Sequence, residues 1–419
     1  MHRNNHQGST DVDKRWTGLT NALAGTFCAS LNFITPQVSA EPLISFNVSS
    51  VDPSLSSLRY STLPREITCT ENLTPWTKLL PCTTKAGIAS LFNAYAIYDA
   101  DYHSMSANVH IHRREAGLRQ FLTDTKLFIP QKTDWSLKFL FDKEIAGLCP
   151  VAEDGTDILV TLPKKEGFSW EGVAQPERQG EFWKIPLKLG KPLNFGVRYS
   201  DPTPDRSANA KAAQPIQLHR HLTGYGRERG GITFRLTNTS PHPKTVTHLE
   251  VLPWFLKLYL HTLTHTTRSL MPDLPLPAVN HTLRYQPAIP RARPSVLELT
   301  LTLPPGSMTV YSIQFDRAFI KYTEHPPDAN RGFDTGAAVL SVHANATAGE
   351  EGYRLYSDVL LIALPTPDFS MPYNVITMTC TVVALYFGTA FNLLVKRFEG
   401  LGEDQMKKKW WMFWIKEKK

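Results

Sequence analysis

The chain has 419 residues, of which 42% are hydrophobic and 20% charged, so it can hold two or three domains and is too apolar to be globally disordered. Its net charge of +7 is unevenly placed: residues 396–419 carry eight Lys/Arg against four Asp/Glu, leaving the rest close to neutral. With no recognition motif for DNA or RNA, that distribution argues against nucleic acid as a partner.

In chain order, residues 10–32 read as a helix, with Trp16, Leu19, Leu23 and Phe27 at helical spacing and Thr10 or Asp11 able to cap its start. A proline-punctuated section follows. Within it residues 63–82, LPREITCTENLTPWTKLLPC, hold two cysteines and a glycan acceptor triplet at Asn72. Residues 134–147, with Trp135, Leu137, Phe139 and Phe141 close together, fit helix or strand. Beyond them the pattern has period two. Trp183, Ile185, Leu187 and Leu189 alternate with Phe182, Lys184, Pro186 and Lys188, and strand signals recur in residues 231–236 and 251–263. Residues 201–215, DPTPDRSANAKAAQP, read as a linker. In residues 296–315, Leu297, Leu299, Leu301 and Leu303 alternate with Glu298, Thr300 and Thr302. Pro304-Pro305-Gly306-Ser307 turns the chain, and Tyr311, Ile313 and Phe315 alternate on the return. The expectation is an antiparallel hairpin with one buried face.

From Phe369 to Val395 no residue is charged, and Val375 to Val395 is long enough for a helix to cross a bilayer, which takes about 20 residues. Lys396, Arg397 and Lys407 to Lys409 follow the span and Asp368 precedes it. The positive flank stays cytosolic, so the large N-terminal part is expected in the lumen. The tail residues Trp410, Trp411, Phe413 and Trp414, bordered by lysines, fit a stretch lying on the membrane. Five acceptor triplets, at Asn47, Asn72, Asn238, Asn280 and Asn345, all precede the span. The N-terminal MHRNNHQGSTDVDKRW lacks the apolar run of a secretory leader. Either the lone span targets the chain, or the chain lacks its true beginning.

The expected fold class is therefore mainly β, with lumenal β-sandwich-like domains followed by one C-terminal transmembrane helix. The expected boundaries are an N-terminal extension over 1–9, a first lumenal domain over 10–200, the linker at 201–215 and a second sandwich over 216–366. A juxtamembrane loop at 367–373, the span at 374–395 and a cytosolic tail at 396–419 complete them.

Five cysteines are present, and Cys380 lies inside the span. The other four, Cys28, Cys69, Cys82 and Cys149, fit either two internal bridges or an exposed cysteine bonded to another chain. Enzyme motifs are absent: there is no G-x-S-x-G, H-E-x-x-H, P-loop or C-x-x-C. His110 with His112, and His219 with His221, each place two imidazoles on one strand face, too few ligands for zinc. No cofactor or metal is expected. Pro253-Trp254 reads as a bulged or edge strand, and Arg291 and Arg293, between Pro290 and Pro294, as a solvated loop.

Several stretches together resemble the PIG-T family of GPI transamidase subunits. They are TDVDKRW and FCASLNF, LPREITCTENLTPWTKLLPC, Gly224-Tyr225-Gly226, VLPWFLKLYLHTLT, SIQFDRAFIKYTEHPPDANRGF and LPTPDFSMPYNVITMTCTVVA, in order from Thr10 to about Arg397. The resemblance implies a subunit of a multi-subunit complex of the endoplasmic reticulum membrane that joins proproteins to a GPI lipid. It implies a non-catalytic role, stabilising the complex and helping position both substrates. The nucleophile is then on a caspase-like subunit, PIG-K, and the other partners are GPAA, PIG-S and PIG-U. Cys69 matches the cysteine that family members bond to the catalytic subunit, and Cys82–Cys149 is the pairing then guessed for an internal bridge. Asn330 and Asn374 match positions that meet the GPI lipid. The nine residues before the TDVDK-like motif and the missing leader imply an N-terminally truncated form. Competing readings are a cell-surface adhesion receptor of sandwich domains and a stand-alone lumenal cysteine hydrolase.

Overall fold

In the computed structural model the described residues are 4–46, 58–64, 88–91, 93, 102–111, 118–128, 134–147, 157–162, 167–173, 176–179, 182–186, 192–199, 215–224, 228–270, 279–326, 328–343, 352–366 and 370–396. They form two compact units, Met1–Pro365 and Thr366–Lys419. The expected linker lies, apart from Pro215, outside the described residues.

The first unit starts with helix α1 (Asn4–Phe27). It begins before the expected start, so Thr10 and Asp11 lie inside it and do not cap it. It ends at Phe27, five residues before the expected end at 32, because Cys28 follows at φ 51, the left-handed turn that commonly closes a helix. Strands β1 (Tyr102–Ile111) and β2 (Leu118–Phe128) pair as an antiparallel ribbon. Two small sheets come next. One has the order β3-β8-β5, from β3 (Trp135–Ser136), β5 (Phe168–Glu171) and β8 (Gly196–Tyr199). The other has the order β4-β7-β6, from β4 (Asp157–Thr161), β6 (Glu177–Gln179) and β7 (Phe182–Pro186). The ambiguous stretch is both strand and helix: β3 runs into a short helix, α2 (Leu137–Phe141). Ser136 caps it by accepting from the Phe139 N–H, and Asp142 at φ 54 ends it. Leu91, Leu137, Phe141, Ile145, Ile185 and Phe195 form the core here.

The rest of the unit is a two-sheet sandwich. Four strands have the order β12-β15-β10-β9: β9 (Ile216–Thr223), β10 (Arg229–Asn238), β12 (Leu256–Ser269) and β15 (Ser307–Arg317). Five have the order β13-β14-β11-β17-β18: β11 (Lys244–Leu252), β13 (His281–Gln286), β14 (Ser295–Leu303), β17 (Val339–Val342) and β18 (Tyr353–Tyr356). A further pair, β16 (Phe333–Thr335) with β19 (Leu360–Ile362), closes one end. Ile232, Phe234 and Leu236 of β10 and Tyr311, Ile313 and Phe315 of β15 share one core cluster with Leu297, Leu299, Leu301 and Leu303 of β14. Period-two alternation places these on the inner faces.

The expected hairpin over residues 296–315 does not form. β14 is bonded on both sides, by β11 and β13, and β15 on both sides, by β10 and β12. Neither strand has a free edge for the other, so the turn carries the chain from one sheet to the facing one. Asn238 holds that crossing: its Nδ2 donates to the carbonyls of Leu303 and Pro304. The Pro253-Trp254 expectation also changes. These residues form the tight crossing between β11 and β12, where Leu256 N–H bonds to Pro253 O at 3.0 Å.

The second unit contains α3 (Ser370–Val395). It starts four residues before the expected span, because Pro372 falls in the first turn, where its missing N–H costs nothing. From Tyr373 to Val395 it is long and apolar enough to cross a membrane, at about 1.5 Å of rise per residue. Thr377, Thr379, Thr381 and Thr389 each donate their hydroxyl to the carbonyl four residues back, which satisfies these polar groups within the helix.

Candidate functional site

Strand alternation puts Ile216, Leu218, Arg220 and Leu222 on the inner face of β9, and Val246, His248, Glu250 and Leu252 on the inner face of β11. Two charges thus meet inside the sandwich. The side chains of Arg220 and Glu250 are 0% and 1% exposed, and Arg220 Nη1 bonds to Glu250 Oε1. His248 Nε2 lies 3.2 Å from Glu250 Oε2, and its ring meets Phe234 edge-on at 4.4 Å. Burial alone would raise the Glu250 carboxyl; Arg220 and His248 instead hold it below its usual value. Arg220 Nη2 donates to Gly336 O at 2.7 Å, Asp358 O at 3.0 Å and Thr335 Oγ1 at 3.3 Å. The guanidinium therefore ties the core to β16 and to the residues that lead into β19. The set is a clamp across the sandwich.

A second buried carboxylate faces the other way. Glu298, on the outer face of β14, accepts from the backbone N–H groups of Leu43, Ile44 and Ser45 at 3.1, 3.0 and 2.9 Å and from the Ser45 hydroxyl at 2.9 Å. Residues 40–46 lie over this face. Ala40 and Phe46 pack on Leu249, Val296 and Val339, and Arg354 sits over the Phe46 ring at 4.7 Å. Upstream, Trp16 of α1 bonds to Ser39, and Arg59 pairs with Asp13 and Glu41 at 2.9 and 2.8 Å. The carboxylate thus anchors the segment through which α1 is joined to the sandwich.

The third feature is the end of the sandwich at which the chain leaves it. Here lie the β11–β12 crossing, the loop after β13 and the loop after β15. Arg291 covers the Trp254 ring at 4.6 Å and pairs with Glu324, so the expected solvated loop is tied down at both sides. Phe255 packs on Phe333 at 5.0 Å, and Phe333 pairs with Ile362 in the β16–β19 ladder. Gly332, at φ +94, permits this approach: a Cβ there would stand 2.5 Å from Ile362 O. Asn330 is exposed in the same loop, its backbone N–H bonded to Asp328 Oδ1 at 3.2 Å.

Residues 3–127 and 126–418 match the Gpi16 family, described as Gpi16 subunit, GPI transamidase component. The chain belongs to the Gpi16 family. It is 37% identical over 446 residues to mouse "GPI-anchor transamidase component PIGT", covering 93% of this chain and 74% of that one. The human protein of the same name gives 37% and the same share of this chain, and Saccharomyces cerevisiae "GPI transamidase component GPI16" gives 30% over 91% of it. A Vibrio harveyi GH20 exo-β-N-acetylglucosaminidase structure is similar over 37% of this chain and 19% of that one, at 11% identity and a TM-score of 0.21, too slight a likeness to argue from.

The residues expected to act in this Gpi16-family chain fall in different places. Cys69, Cys82 and Cys149, and the acceptors Asn47, Asn72 and Asn345, lie outside the described residues, as do the tail aromatics Trp410, Trp411, Phe413 and Trp414. Cys28 is exposed and free. His219 and His221 are exposed on the outer face of β9; His112 is outside the described residues. Among the described residues no three His, Cys, Asp or Glu side chains gather to hold a metal. Asn374 is exposed in the second turn of α3, no longer at a helix N-terminus.

The acceptor expectation needs one correction. Asn280 is exposed, but Asn238 is fully buried, and its Nδ2 faces the carbonyls of His242, Leu303 and Pro304 at 3.0, 3.2 and 2.9 Å. A sugar on that nitrogen would displace the bonds that hold the β14–β15 crossing. Asn238→Gln is therefore expected to leave the glycan ladder on a gel unchanged, while Asn280→Gln removes one step. A step lost with Asn238→Gln would overturn this reading.

The Arg220 clamp and the Glu298 anchor were absent from the sequence reading. A signal existed for the first. In the alternation of β9, Arg220 stands between Leu218 and Leu222, and in that of β11, Glu250 stands between His248 and Leu252.

Proposed function

We propose that this chain is a non-catalytic structural subunit of GPI transamidase, which stabilises the complex and helps position proprotein and GPI lipid. The observation that carries the reading is the family match from residue 3 to residue 418. The use of the buried charges supports it: Arg220 and Glu250 lock the sandwich, and Glu298 locks an N-terminal segment onto it. Their chemistry is consumed in holding shape. In this reading the chain sits in the endoplasmic reticulum membrane with residues 1–365 in the lumen. It joins a caspase-like subunit through Cys69 and assembles with the GPAA, PIG-S and PIG-U subunits. A disulfide between chains makes a dissociable contact permanent. Asn330, exposed beside the point where the chain leaves the first unit, and Asn374, exposed in α3, are the positions proposed to meet the GPI lipid.

The test is co-expression of the tagged chain with the caspase-like subunit, followed by gels with and without reductant. Wild type is expected to give a heavy band that collapses on reduction, and Cys69→Ser to abolish that band while other transamidase subunits still co-purify. A heavy band that persists in Cys69→Ser removes the assignment of Cys69. Loss of co-purification by the wild-type chain removes the subunit reading itself.

A further inference from the structure

We propose that the outer face of the four-stranded sheet is the docking surface for an acidic segment of a partner polypeptide, with Arg235 and Arg268 as its charge anchors. The proposal rests on the reading of this chain as a subunit of a larger complex. Strand register assigns the face. His219 of β9, Arg235 of β10, Val310 of β15 and Thr266 of β12 form one row across the sheet. Arg268 stands one step along β12 on the same face, and His221 one step along β9 in the other direction. His219, His221, Arg235, Thr266 and Arg268 are all exposed. Their charge is unbalanced. Among the described residues neither Arg235 nor Arg268 has an ion-pair partner. Asp316, on the same face, is already held by Arg229 and Tyr259. Arg235 and His219 lie directly opposite each other, where like charges repel. Burial and the neighbouring Arg235 hold the His219 imidazole below its usual value, with Asp358 opposing them in part. A carboxylate laid across this pair would turn the repulsion into attraction.

The layout of the face selects a polypeptide as the occupant. Arg235 and Arg268 are two strands and one register step apart, a backbone separation of about 12 Å. About four residues of extended chain cover that distance. Between the two arginines lie the half-buried Val310 and Met308 and the hydroxyl of Thr266. Apolar side chains and the carbonyls of a peptide match such a strip, whereas a bare anion leaves it uncovered. The fold already shows this mode of docking once. The outer face of the other sheet is covered by residues 40–46, whose N–H groups meet Glu298. There the sheet supplies the carboxylate. The four-stranded sheet supplies cations instead, so the matching segment brings the carboxylates.

The full-length chain, co-expressed with the transamidase subunits, tests this. Arg235→Lys and Arg268→Lys keep the charges and offer amines that a carbodiimide joins to a touching carboxylate. Each variant is expected to form an amide with an Asp or Glu of another subunit, mapped by mass spectrometry of the purified complex. Wild type lacks these adducts, because arginine does not couple. Charge reversal, Arg235→Glu with Arg268→Glu, is expected to lower recovery of that subunit several-fold. Lys138→Glu, on the exposed surface of α2, leaves recovery unchanged. Thermal unfolding of both variants should match wild type, since the sites are exposed. Coupling to carboxylates of this chain alone, or none at either position while the subunits co-purify, would overturn the proposal. A lipid adduct from benzoylphenylalanine at Thr266 would do the same, by giving the face to a headgroup. Failure of the wild-type chain to co-purify with any transamidase subunit would remove the complex reading instead, and the proposal with it.

Discussion

Arg220→Met is expected to destabilise the first unit by about 3–5 kcal/mol, because it leaves the Glu250 carboxylate buried with its main counter-charge gone. Both side chains are essentially sealed from water, so solvent cannot replace the lost partner. The same change strips the bonds to Gly336 O and Asp358 O, so protection should fall first in residues 335–338 and 357–362. The double variant Arg220→Met with Glu250→Leu removes both charges, and is expected to recover most of the loss, since well-packed apolar groups can replace a buried pair at little cost. Thermal unfolding of the detergent-solubilised full chain, with proteolysis to locate the opened segment, reads both. If the double variant were as unstable as the sum of the singles, the two residues would not be a coupled pair.

The pH dependence has a definite sign. Glu250 has its folded pKa depressed below the ordinary 4.5. Its contribution is fully present above that ordinary value and is lost as pH falls through the lower folded value. Wild type should therefore lose stability in the acid range more steeply than the double variant, with no difference in slope near neutrality.

Glu298→Leu is expected to cost about 3 kcal/mol, the scale of one to two charge-assisted hydrogen bonds left unreplaced. The residue sits among four donors, three of them successive backbone N–H groups of residues 43–45. These donors are left facing an apolar side chain, and residues 40–46 should lift from the sheet before the sandwich itself unfolds. The expected result is faster cleavage near Leu43, with the core cluster still protected. Thr302→Val, on the same outer face but exposed, is the control and should stay within about 0.5 kcal/mol of wild type. Equal cleavage in both variants would mean that the carboxylate does not anchor the segment.

The sequence by itself determined much of this protein. Period-two alternation assigned the inward rows of β10, β14 and β15, because a strand exposes alternate residues to opposite faces whatever its partners are. The uncharged run from Phe369 to Val395 determined α3, since twenty-odd apolar residues have few other stable states. The motif set determined the family.

Only the tertiary structure decided which strands pair. Alternation fixes a face but carries no information about an edge, so residues 296–315 look like a hairpin although both strands already have two neighbours. Burial of polar residues was decided in the same way. Glu298 reads as solvent-facing because Thr300 and Thr302 follow it in the outer row, and it is buried because residues 40–46, more than 250 positions away, cross over it. Asn238 reads as a surface acceptor and is instead the fully buried tie of a crossing between sheets. Arg220 and Glu250 are legible only as charges out of place, until the two facing sheets bring them together. Contacts of such sequence separation depend on the whole topology, and no local pattern encodes them.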